Sequence, residues 1–187
     1  MLEERIRRTM EQVRTFIADK PDAWALPEEA AEFLYAWILA SGAKRGLEIG
    51  TSYGWSGLWL GAALRANNGG LITVDVEPRK SHVALQYFQE AGLTTNIEVV
   101  TGDAASVIKD LIGPFDFVLN DADKARSRQY FDLLLGKMIP RAVFISDNAL
   151  SHPGSFDGFL EYVRSREDFY CLTVPIGNGF EIAVKLG

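Results

Sequence analysis

The chain has 187 residues, 48% hydrophobic and 24% charged, with a formal net charge of -6 and one cysteine. That length suits one sizeable core rather than two, and the composition is that of an ordinary folded domain rather than a disordered chain. A net negative chain attracts neither nucleic acid nor an anionic membrane surface, and no apolar run approaches the ~18 residues of a spanning helix. Cys171 has no partner for an internal disulfide, and the N-terminus carries charges every few residues with no signal-peptide core. The expectation is therefore one cytoplasmic domain over 1–187 that handles a small molecule, with no nucleic-acid or membrane partner.

From Leu2 to about Ala18, apolar Leu2, Ile6, Met10, Val13, Phe16 and Ile17 recur at helical spacing among Glu and Arg. Lys20-Pro21-Asp22 breaks this helix. Pro27-Glu28-Glu29 opens a second one bearing Phe33, Leu34, Trp37, Ile38 and Leu39, which Ser41-Gly42 ends. These aromatics read first as packing against a sheet, with a substrate wall or a homodimer contact as the alternative. The N-terminal helices thus occupy 1–42 and the core 43–187.

Beyond Gly42, strands near 45–49, 71–75, 97–100, 115–120 and 142–146 alternate with helices near 55–66, 78–91, 104–111 and 124–138. Such alternation predicts βαβ crossovers and a parallel, doubly wound α/β sheet. A helix near 155–166 precedes two further strands, 170–174 and 180–184, joined through Pro175-Ile176-Gly177-Asn178-Gly179. So short a connection with Gly and Asn predicts a hairpin, hence seven strands with the last antiparallel.

The run Leu47-Glu48-Ile49-Gly50-Thr51-Ser52-Tyr53-Gly54-Trp55-Ser56-Gly57 reads as strand, glycine turn and helix start. Gly50 and Gly54 allow backbone angles and close approaches that a Cβ would forbid. Free N–H groups at the helix start, with the hydroxyls of Thr51, Ser52 and Ser56, would meet an anionic group. The spacing G-x-x-x-G-x-x-G departs from the dinucleotide fingerprint G-x-G-x-x-G and argues against NAD.

In open α/β sheets, ligands bind beyond the carboxyl ends of the strands. Here those ends carry the glycine loop, Asp75-Val76-Glu77, Gly102-Asp103-Ala104, Asp121-Ala122-Asp123-Lys124 and Asp147-Asn148. Singly, Asp75, Asp103 and Asp123 read equally well as helix N-caps. Together they define one acidic rim. Asp75 can hold the two hydroxyls of a ribose, and Asp103 lies one strand further out, within reach of an adenine ring. Asp121, Asp147 and Asn148 offer three hard oxygen ligands that suit Mg2+ better than zinc, with capping and loop hydrogen bonds as the alternative. His82 and His152 stand at positions where a histidine ordinarily has no special role.

As an ordered set, Leu-Glu-Ile-Gly-Thr-Ser-x-Gly-x-Ser at 47–56, Thr-Val-Asp at 73–75, Gly-Asp-Ala at 102–104, Asp-Ala-Asp-Lys at 121–124 and Asp-Asn at 147–148 resemble a known family. It is that of the cation-dependent S-adenosylmethionine O-methyltransferases, including catechol and caffeoyl-coenzyme A O-methyltransferases and bacterial relatives. The likeness spans about residues 26–185. It implies a Rossmann-like class I methyltransferase sheet, with Glu48, Gly50, Thr51, Ser52, Gly54 and Ser56 around the methionine part of S-adenosylmethionine. It further implies Asp75 at the ribose, Gly102, Asp103 and Ala104 at the adenosine end, and Asp121 touching both cofactor and cation. Asp121, Asp147 and Asn148 would hold the divalent cation, and Lys124 would take the proton from a vicinal-diol acceptor on an aromatic ring. Two departures bear on the acceptor. Leu172 or Thr173 stands where catechol enzymes carry a glutamate, and Ala125-Arg126-Ser127-Arg128 suggests a negatively charged acceptor. A metal-independent methyltransferase and a non-catalytic S-adenosylmethionine-binding module remain as other classes.

Overall fold

The alternation of apolar runs and helical stretches produces a seven-stranded sheet in the computed structural model, which describes residues 2–187. Helices α1 (Glu4–Ile17) and α2 (Glu28–Ser41) lead into β1 (Arg45–Ile49), α3 (Trp55–Ala66), β2 (Gly70–Asp75), α4 (Pro78–Ala91) and β3 (Ile97–Thr101). Then come α5 (Ala104–Asp110), β4 (Phe115–Asn120), α6 (Ser127–Leu134), β5 (Met138–Ser146), α7 (Phe159–Arg164), β6 (Phe169–Val174) and β7 (Phe180–Lys185).

The strand order is β3-β2-β1-β4-β5-β7-β6, with β7 antiparallel to both neighbours. The antiparallel strand is thus slotted between β5 and the edge strand β6. Alternation along each strand sends side chains to two cores. Phe117, Leu119, Val143 and Ile145 face the layer of α1, α2, α3 and α4, while Leu47, Ile49, Val118 and Phe144 face α5, α6 and α7. In α1, Ile6, Met10 and Val13 form the buried stripe, and α2 turns off at Gly42 (φ 70°), whose N–H donates to the Ile38 carbonyl. Pro78 starts α4 with the Glu77 side chain accepting from Arg79 N. The fully buried Phe88 of α4 contributes about 1.5–3 kcal/mol by leaving water.

Two expected helices are broken. The stretch expected as one helix over 124–138 is a 3-10 turn at Lys124–Arg126, α6, and a second 3-10 turn at Leu135–Lys137. Strand β5 then begins at Met138, earlier than residue 142. Its first part carries Pro140 and the left-handed Arg141 (φ 68°), and its pairing with β4 shifts between Phe115 and Phe117. That exposed, bulged start shows no strand periodicity. The helix expected over 155–166 splits into a 3-10 turn at Pro153–Phe156 and α7, because Asp157 (φ 48°) and Gly158 (φ 75°) are both left-handed.

Candidate active site

Where β1 and β4 lie side by side, the chain order reverses, and a doubly wound sheet opens a crevice there. The loops that line it are tied to the sheet through their first amides. Gly102 N donates to Asp75 O (2.8 Å), Gly50 N to Val74 O (2.8 Å), Asp121 N to Ile49 O (2.9 Å) and Asp147 N to Asn120 O (3.2 Å).

Gly50 has φ 109°, and a Cβ on it would lie 2.5 Å from the Asp121 carbonyl oxygen, so only glycine lets these two loops close on each other. Ser52 follows in the left-handed region (φ 44°). Its amide donates to Asp75 Oδ2 at 2.7 Å, while Asp75 Oδ1 accepts from Glu77 N at 2.9 Å. Asp75 therefore organises both the glycine loop and its own turn. Of the two close approaches that Gly54 allows, a ligand's and a neighbouring element's, the structure shows the second. Gly54 is left-handed (φ 88°), and a Cβ there would meet Ala84 and Phe88 at 3.1 Å, so its smallness admits α4. Gly102 likewise stands outside the cavity wall, with Val107 3.2 Å from where its Cβ would be.

Glu48 also sits behind the wall. Its side chain is wholly buried, and its Oε2 accepts from Thr73 Oγ1 at 2.6 Å while Oε1 has no partner. Thr73 has one hydrogen and gives it to Glu48, so the 2.6 Å contact between the Thr51 and Thr73 hydroxyls runs from Thr51. Burial pushes the Glu48 carboxyl up to about 8, against the hydrogen bonds from Ser56 and Thr73.

On the acidic rim, Asp103 caps α5 through Ser106 N (3.0 Å) and Ser106 Oγ (2.9 Å), and its other oxygen pairs with Arg126 at 2.6 Å. The Arg126 guanidinium, with the Ser106 bonds, holds its carboxyl well below the usual range. Lys124 Nζ lies 2.7 Å from Asp121 Oδ1, both side chains being 13% exposed. Burial raises the Asp121 carboxyl against the pull of Lys124. Asp147 is pushed up to about 6, first by burial and then by the charge of Asp121, against the opposing pull of the Asn148 backbone, Lys124 and Asn178. Its Oδ1 is buried and without a partner. Two carboxylates on adjacent strand ends that repel each other, one with an orphaned oxygen, fit a hard divalent cation beside the amide oxygen of Asn148. They form a set of two acids and an amide, and no group of three or more His, Cys, Asp or Glu suited to a metal occurs among the described residues.

One cavity of about 920 Å³ runs along this rim, lined by Gly50, Thr51, Ser52, Ser56, Asp75, Asp103, Ala104, Asp121, Lys124 and Asn148 among the expected residues. Glu48, Gly54, Gly102 and Asp147 stand just outside its wall. Trp24, Tyr53, Lys80, Tyr130, His152, Ser155 and Asn178, none of them expected as site residues, also line it. Trp24 comes from the loop before α2 and is 84% exposed, with Lys80 Nζ 5.4 Å from its ring centroid. The arginines read as an anion signal are otherwise engaged. Arg126 pairs with Asp103, while Arg128 turns to Asp132 and the Tyr162 ring, away from the cavity. His82, whose ring contacts Gln86 on α4, is not in this wall.

This fold and rim define a small-molecule-binding α/β domain, and comparison with known proteins gives its family. The O-methyltransferase family profile matches residues 3–157, and the chain belongs to that family. The chain is 37% identical over 112 residues to a catechol O-methyltransferase of Niastella koreensis, covering 58% of this chain and 50% of that protein. It is 34% identical over 131 residues to a catechol O-methyltransferase of Mycobacterium tuberculosis, covering 70% and 59% respectively. The matches thus span between half and three fifths of these relatives' lengths. Among solved structures, it resembles an O-methyltransferase from Bacillus cereus in complex with SAH (S-adenosylhomocysteine), with a TM-score of 0.86, 26% identity and coverage of 95% and 90%. It also resembles TomG of Streptomyces achromogenes, an O-methyltransferase of tomaymycin synthesis in complex with SAM (S-adenosylmethionine), with a TM-score of 0.83, 29% identity and coverage of 99% and 91%.

Proposed function

We propose that this chain transfers the methyl group of S-adenosylmethionine to a hydroxyl of a small aromatic vicinal diol, with Mg2+ held by Asp121, Asp147 and Asn148. The observation that carries this reading is the single cavity joining the glycine loop, the Asp75 and Asp103 strand ends, and the Asp121–Lys124–Asn148 corner. In it the glycine loop and Ser56 enclose the methionine end of the cofactor. Asp75, its loop already set by Ser52 and Glu77, keeps lone pairs for the ribose, and Ala104 and the Asp103 turn border the adenine. Glu48 acts from behind, holding Thr73 and through it Thr51.

When bound, the cation supplies Lewis-acid polarisation of the acceptor hydroxyl. Lys124 Nζ, which as the ammonium donates to Asp121 at 2.7 Å, serves as the proton acceptor once it has given up a proton and is neutral. Most of the rate gain comes from fixing the acceptor oxygen in line with the methyl carbon and the departing sulfur. The test is transfer of labelled methyl from S-adenosylmethionine to catechol, with Mg2+ and then with excess chelator. Transfer that stops on chelation and returns with Mg2+ supports the reading, and full turnover in chelator removes the cation from it. Cofactor binding with no transfer to any diol would leave a binding module.

A further inference from the structure

In the cavity wall, three cations are already taken. Lys80 pairs with Asp22, Lys124 with Asp121 and Arg126 with Asp103. His152 also lines the cavity and has no ion-pair partner among the described residues. Its place is set by the turn after β5, where His152 N donates to Asn148 O at 2.9 Å and Ser155 N donates to His152 O at 3.1 Å.

The side chains of this turn form a directional relay. Asn148 Nδ2 donates to Ser151 Oγ at 3.2 Å, and Ser151 Oγ lies 2.9 Å from His152 Nδ1. A serine hydroxyl has one hydrogen. Its two lone pairs allow either sense, and in the one where Ser151 accepts from Asn148 and donates that hydrogen to Nδ1, the imidazole carries its own proton on Nε2. The same relay uses the Asn148 amide nitrogen and leaves its oxygen free. One hydrogen-bond chain thus joins the proposed cation ligand Asn148 to an imidazole of the cavity wall, and Ser155 adds a second polar side chain to that wall.

We propose that His152 Nε2–H and the Ser155 hydroxyl bind a carboxylate on the acceptor ring, away from the reacting diol. His152 then selects acidic over neutral diols. The inference rests on the vicinal-diol reading above and moves anion recognition from the arginines to this turn. An N–H and an O–H donor in one cavity wall offer a bond to each oxygen of a carboxylate, and a charged acceptor makes such bonds stronger than neutral ones.

The test compares 3,4-dihydroxybenzoate with catechol as acceptors for the wild type, His152→Ala, His152→Gln and Ser155→Ala, with S-adenosylmethionine and Mg2+. Calorimetric titration of 3,4-dihydroxybenzoate into the protein saturated with S-adenosylhomocysteine gives a readout independent of turnover. The wild type should favour the acid in kcat/KM by tenfold or more. His152→Ala should lower that acid-to-catechol ratio at least tenfold, chiefly through KM, with a matching loss of calorimetric affinity. His152→Gln keeps an N–H donor and should restore part of the ratio. A wild type without preference for the acid, or a ratio unchanged in His152→Ala, overturns the assignment while leaving diol methylation intact. A wild type that binds cofactor yet methylates neither compound overturns the diol reading, and this inference falls with it.

Discussion

Replacing Glu48 by Gln tests whether the buried carboxyl behind the glycine loop is protonated in the folded protein. In the unfolded chain a glutamate loses its proton near 4.5, whereas burial keeps Glu48 protonated up to about 8. Between those values the native state binds one proton more than the unfolded state. Stability is therefore greatest at the acid end and falls as pH rises, by about 1.4 kcal/mol per pH unit for one proton. Asp147, pushed up to about 6, adds a slope of the same sign only below that value. Asp121, also raised by burial, adds to the slope in both proteins, so the difference between wild type and Glu48→Gln from pH 6 to 7.5 isolates Glu48, and it is about 2 kcal/mol. Urea unfolding of the apo-protein, followed by fluorescence of its four tryptophans, measures it at each pH. Glu48→Gln cannot ionise, so its stability should decline less steeply by that amount across the window. Parallel stability curves for the two proteins would refute a protonated Glu48 and show the charged form to be accommodated.

Gly50→Ala should destabilise by about 1–3 kcal/mol through its left-handed backbone alone. It should also weaken S-adenosylmethionine binding, since its Cβ meets Asp121 O at 2.5 Å; unchanged urea midpoint and calorimetric affinity would contradict this. Phe88→Ala opens the packing beneath Gly54 and Gly57 and should cost about 3–5 kcal/mol in urea unfolding. Lys124→Met should slow methyl transfer about a hundredfold or more while sparing cofactor affinity, and Lys124→Arg should not rescue it because guanidinium holds its proton. Near-normal turnover of Lys124→Met would remove the lysine from the mechanism. Asp75→Asn should lower cofactor affinity in calorimetry, and equal affinity would place the ribose elsewhere.

The parallel sheet was readable because its strands are apolar on both faces and end in Gly or Asp, and the final hairpin because Gly177, Asn178 and Gly179 sit between two apolar runs. The 138–141 start of β5 was hidden because it is bulged and exposed, and the Asp157-Gly158 break because left-handed residues leave no trace in hydrophobic periodicity. At the site, strand-end position located the rim. It could not tell a residue facing the cavity from one facing the core. Gly54 abuts α4 and Glu48 is buried behind the wall, because one residue of register decides which way a side chain points. Trp24 and His152 reach the cavity from loops and Ser155 from a single 3-10 turn, segments too short to leave a periodic signal.

The four amides that tie the loops to the sheet make the site a ruler. Gly102, Gly50, Asp121 and Asp147 each continue the hydrogen bonding of the strand beside them. Neighbouring strands lie about 4.8 Å apart, so the row from β3 to β5 is about 19 Å long, and that length belongs to the backbone. A side-chain substitution can retune any one station along the row. The distances between stations change only if the sheet itself is rebuilt.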